Sequence, residues 1–82
     1  MRINEKLLSA AGAATGEMLR FTQPADGVLS AYFRARRTGS RERGFIAETA
    51  YAVVRNLRLL RRLCGEAATP RQLVLAALLR VQ

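Results

Sequence analysis

The sequence predicts an all-α fold, a bundle of about four helices, on three observations. Apolar residues recur at spacings of three and four along most of the chain, two prolines (Pro24 and Pro70) stand where helices would start, and no stretch alternates as a half-buried strand does. At 82 residues, half of them hydrophobic, the chain is one packed domain at most, with an economical core.

The leading helix, Ile3 to about Arg20, sets Ile3, Leu7, Leu8, Ala11, Ala14, Met18 and Leu19 on one stripe. Gly12 and Gly16 each cost about 1 kcal/mol relative to alanine, so a kink, fraying or very close packing is expected there. Thr22, Gln23 and Pro24 then stop one helix and start the next, with Asp26 suited to the positive pole of its first turn. Val28, Leu29, Tyr32 and Phe33 form its narrow apolar stripe, and Gly39 is its expected end.

Ser40 reads as the N-cap of a third helix that meets no breaker until Gly65. At 100° per residue, Phe45, Ile46, Thr49, Val53, Leu57, Leu60 and Cys64 share the core side, and Tyr51, Arg55, Arg58 and Arg62 the other. Thr69 and Pro70 open a fourth helix that is apolar nearly all round from Leu73 to Leu79, a pattern that belongs in the middle of a bundle. Three preceding helices give it little cover, so the chain reads as the front portion of a longer polypeptide.

Fourteen basic residues against six acidic give a net charge of +8, and every basic residue except Lys6 is arginine, whose planar fork matches phosphate. Arginine standing in for lysine throughout a genome is the bland alternative, so position along the helices has to decide. The longest apolar run is too short to cross a bilayer and no secretory leader is visible, which makes a cytoplasmic protein with no membrane partner the expectation. With no histidine and one cysteine, neither an internal disulfide nor zinc or imidazole chemistry is expected, and no residue qualifies as catalytic. Cys64 reads as a small buried hydrophobe near a helix end.

Two arginine groups carry the functional argument. Arg34, Arg36 and Arg37 close the second helix and Arg41 and Arg43 open the third, five arginines within ten residues. The first three could merely complement a negative helix pole, whereas Arg41 and Arg43 lie at a positive end, where cations need a carboxylate or an anionic partner. Arg55, Arg58 and Arg62, spaced i, i+3 and i+7, form a mutually repelling ridge that an anion would relieve; a solvated charged face is the alternative. Tyr51 is the one aromatic placed to stack on a base. Lacking a platform of interleaved aromatics, the pattern suits shape and phosphate recognition of structured RNA more than base reading. A DNA-binding helix-turn-helix fits poorly, because the helix after the Thr38–Ser40 turn is too long for a recognition helix.

The stretch Gly39-Ser40-Arg41-Glu42-Arg43-Gly44-Phe45-Ile46-Ala47-Glu48-Thr49-Ala50-Tyr51-Ala52-Val53-Val54-Arg55 resembles the helix signature of the NusB-like domain at the N-terminus of the Sun/Fmu family of ribosomal-RNA cytosine-C5 methyltransferases. Glu42-Arg43, Phe45, Glu48, Tyr51 and Arg55 occupy the places of that family's acid-arginine pair, aromatic, Ala-x-Glu-x-x-Tyr motif and closing arginine. Ala25-Asp26 with Leu29 and Tyr32-Phe33 upstream, and Pro70-Arg71 with Leu73, Leu75-Ala76 and Leu78 downstream, fit as well. The sequence departs from the pattern in using Glu42 where aspartate is commoner and Gly44 where alanine is usual. The likeness covers residues 24–82 and leaves the leading helix, 1–23, unmatched. It implies the N-terminal part of a NusB-like RNA-binding domain, followed in the parent enzyme by an S-adenosylmethionine-binding methyltransferase domain that holds the catalytic cysteines. Ribosomal RNA and that C-terminal catalytic domain are the implied partners, with no cofactor or metal in this segment. A protein-interaction module in transcription antitermination or ribosome assembly is the rival.

Overall fold

In the computed structural model, which describes residues 3–81, the chain forms five helices: α1 (Glu5–Met18), α2 (Ala25–Ala35), α3 (Ser40–Arg55), α4 (Leu57–Cys64) and α5 (Pro70–Val81). No strand occurs among the described residues. The all-α expectation holds, with one helix more than the sequence pattern suggested.

Asn4 caps α1, its side-chain Oδ1 accepting from the Leu7 amide at 2.8 Å. The helix runs unbroken through both glycines, so close packing, not a kink, is what they serve. A Cβ on Gly12 would lie 3.5 Å from Arg71 Cα, and one on Gly16 would lie 3.3 Å from Pro70 Cγ. The bare backbone of α1 therefore lies directly on the first turn of α5. Leu7, Ala11, Ala14 and Met18 complete the buried face, which meets α3 and α5.

The start of α3 differs from the sequence reading. Helix α2 already ends at Ala35, and Gly39 is the capping residue of α3, which makes Ser40 the first helical position. Gly39 fits there because the Glu42 carboxylate folds back onto it, into the space where a Cβ would sit. An acidic group in the first turn of a helix complements the dipole without a serine cap.

The expected single helix from Ser40 to Gly65 is in fact two. Asn56 leaves helical geometry at φ −114° and ψ 21°, and its Nδ2 donates to the Ala52 carbonyl at 2.9 Å while its amide also reaches Ala52 and Val53. The side-chain amide thus adds a second donor to the Ala52 carbonyl beside the backbone N–H, the local competition by which asparagine disturbs a helical ladder. After the break, α4 buries Leu60 and packs mainly on α5. Cys64, expected in the core, is exposed at its end. Gly65 then ends α4 at φ +101°, a backbone region that glycine alone occupies readily.

Helix α5 starts where Thr-Pro predicts, and its cap is reciprocal: Thr69 Oγ1 accepts from the Gln72 amide at 3.2 Å, and Gln72 Oε1 accepts from the Thr69 amide at 2.8 Å. Leu73, Val74 and Ala77 are buried against α1, α3 and α4. Burial of such side chains contributes roughly 1.5–3 kcal/mol each. The opposite side is uncovered, with Leu75 38% and Leu79 81% exposed, so α5 is not the enclosed centre its composition suggested. The Cα atoms span 34 × 31 × 16 Å, a slab about two helices thick that has no room for a fully wrapped helix.

Candidate nucleic-acid interface

The arginines collect at the two ends of α3. At its N-terminal end, Arg34 comes from the last turn of α2, Arg36 and Arg37 from the connection, and Arg41 and Arg43 from the first turn of α3; all five are exposed. Arg36 is held in place: its guanidinium carbon lies 4.0 Å from the centroid of the Tyr32 ring. Tyr32 is itself buried, makes an edge contact with Phe33 and donates from its hydroxyl to the Ala10 carbonyl at 3.2 Å. The aromatic pair thus fixes the α2–α3 connection to α1.

At the other end, Arg55 closes α3 and Arg58 and Arg62 follow on α4. Because Asn56 breaks the helix between them, the expected straight ridge becomes a group drawn from two helices, and the three arginines surround an open depression with Asn56 and Leu59. Fourteen residues at 1.5 Å each separate Arg41 from Arg55, about 21 Å along the helix, so the two groups are distinct surfaces and not one patch.

Carboxylates do not neutralise either group. Among the described residues the ion pairs are Arg20–Glu17 at 3.7 Å and Arg71–Glu5 at 2.7 Å, and both lie elsewhere. Glu48 is exposed on the same outer side of α3 without an ion pair, and Glu42 is folded over Gly39. The alternative in which Arg41 and Arg43 pair with Glu42 or Glu48 is therefore not realised.

Tyr51 has a structural task that the sequence concealed. Its hydroxyl donates to Asp26 Oδ1, tying α3 to the first turn of α2. That hydrogen bond, with a smaller part from burial and the carboxylate charge, holds the phenol above its ordinary pKa. The phenol tip is engaged, and the partly buried ring packs against the core margin.

Sequence reasoning overlooked a third feature. The N-terminal half of α1 and the α2–α3 connection enclose a groove of about 620 Å³, lined among others by Lys6, Leu7, Tyr32, Arg36, Arg37 and Ile46. Lys6 stands out in the sequence only as the single lysine. Its meeting with Arg36 and Arg37 depends on how α1 packs on α3, and no local pattern encodes that.

No helix among the described residues is long and apolar enough to cross a membrane. Fold and site together define a small all-α module that presents two unneutralised arginine groups at the ends of one helix. No family model matches the chain, and no similar curated protein and no matching solved structure is found.

Proposed function

We propose that the chain is an RNA-binding module: the N-terminal, NusB-like part of an S-adenosylmethionine-dependent ribosomal-RNA (cytosine-C5) methyltransferase of the cytoplasm, positioning rRNA for a downstream catalytic domain. The observation that supports RNA binding most is the pair of exposed arginine groups at the ends of α3, free of carboxylate partners among the described residues. The enzyme assignment rests on the sequence likeness alone. In the same reading, S-adenosylmethionine belongs to the downstream domain.

The test is affinity for a structured rRNA fragment as a function of salt. If Arg41, Arg43, Arg55, Arg58 and Arg62 each neutralise one phosphate, log affinity falls by roughly 3.5 to 4.5 per tenfold rise in salt. The double reversal of Arg58→Glu and Arg62→Glu lowers both affinity and slope with the helical signal intact. Affinity that is flat in salt removes the proposal.

A second reading, a protein-interaction surface that docks an assembly partner or the catalytic domain, draws support from the uncovered Leu75 and Leu79 on the outer side of α5. It predicts that the arginine reversals leave RNA binding unchanged and that Leu79→Asp abolishes docking.

A further inference from the structure

We propose that the groove between α1 and the α2–α3 connection takes a single unpaired nucleotide of a structured RNA, base inward and phosphate at the rim. The inference rests on the RNA-binding reading and narrows it from backbone contact to a built nucleotide site. Its volume, about 620 Å³, falls within the roughly 300–1,000 Å³ of clefts that enclose small ligands.

The floor is apolar and rigid. Leu7, Tyr32 and Ile46 supply it, and all three side chains are buried parts of the core, Ile46 being 1% exposed. The rim is cationic: Lys6 from α1 and Arg36 and Arg37 from the connection, all exposed, with Arg36 anchored over the Tyr32 ring. A wholly apolar ligand leaves those cations unmatched, and a bare anion leaves the floor unused. A nucleotide satisfies both.

Charge also sets the direction of entry. Glu42, the one carboxylate in the lining, is partly buried at the start of α3, whereas the three cations are exposed. A phosphate pushed inward meets that carboxylate, whereas at the rim it meets Lys6, Arg36 and Arg37. With the base inward, Glu42 can accept from an exocyclic amine, as carboxylates do from cytosine N4. Bases stacked in a duplex cannot present themselves in this way, so the occupant is a bulged or looped-out residue.

The experiment uses the 82-residue protein and three versions of one RNA hairpin: fully paired, with a single bulged cytidine, and with an abasic site at the bulge. Fluorescence anisotropy at fixed moderate salt gives the affinities. The expected result is that the bulged cytidine binds at least about tenfold more tightly than the abasic bulge, the scale of one base gaining an apolar contact. Ala10 also lines the groove, and Ala10→Leu, which narrows it, then brings those two hairpins to the same affinity, with circular dichroism confirming the fold. Equal affinity of the bulged and abasic hairpins for the wild-type protein overturns the nucleotide site; if that shared binding is salt-dependent, the RNA reading stands without it. Absence of binding to any hairpin overturns both.

Discussion

Thr15 is fully buried on the inner face of α1, and its hydroxyl has no hydrogen-bond partner. A buried unsatisfied hydroxyl costs about 1–3 kcal/mol, and valine fills nearly the same space. Thr15→Val is therefore expected to raise unfolding free energy by about 1 kcal/mol, read as a higher urea midpoint at unchanged slope. Tyr51 supplies a pH-dependent counterpart. Its pKa is raised in the folded protein, so the folded state holds the phenolic proton more tightly than the unfolded chain does. The stability it contributes is complete below the ordinary tyrosine value of about 10 and is lost as pH rises through the raised value. Urea titrations of wild type and Tyr51→Phe should differ at neutral pH and converge as pH rises through the raised value, where the phenolate faces the Asp26 carboxylate. A constant difference across that range would assign the Tyr51 contribution to ring packing instead of the hydrogen bond.

Helix boundaries show how much the capping chemistry of single residues decides. Thr69 and Gln72 exchange two hydrogen bonds at the start of α5, the element whose buried leucine and valine pin α1 and α4. Thr69→Ala is expected to cost about 1 kcal/mol, with little further loss when Gln72→Ala is added, because the box is one reciprocal unit. Thermal denaturation of the two single variants and the double variant reads that non-additivity. The return bond from Gln72 was not read from the sequence, whereas the start of α5 was legible because Thr-Pro is a local signal. The break at Asn56 was not, since the apolar spacing of Val53, Leu57 and Leu60 continues across it and only a single asparagine marks the site. Asparagine occurs in helices as well as at their ends, and the break leaves Leu60 fully buried with α4 packed on α5.

At the scale of the molecule, charge opposes the fold. A net charge of +8 on 82 residues, with two ion pairs among the described residues, means that folding concentrates like charges. Salt shortens the screening length from about 30 Å at 0.01 M to about 8 Å at 0.15 M, and repulsion within the Arg55, Arg58 and Arg62 group weakens accordingly. Thermal stability is therefore expected to rise with ionic strength over the range in which RNA affinity falls. Opposite signs for the two slopes tie both to the same arginines. A melting temperature that falls with salt would point to net attraction within the surface and weaken the case for an anionic partner.

The sequence by itself determined the helical class, the proline-marked starts of α2 and α5, and which arginines would crowd along the chain. Each depends on interactions among residues within about two turns of one another, which spacing and residue type encode directly. Tertiary structure decided the break at Asn56, the exposure of Cys64, the tether between Tyr51 and Asp26, and the groove that joins Lys6 to Arg36 and Arg37. Those features join or orient residues from segments brought together only when the core closes, and which pairs meet depends on the packing of whole faces instead of any local pattern.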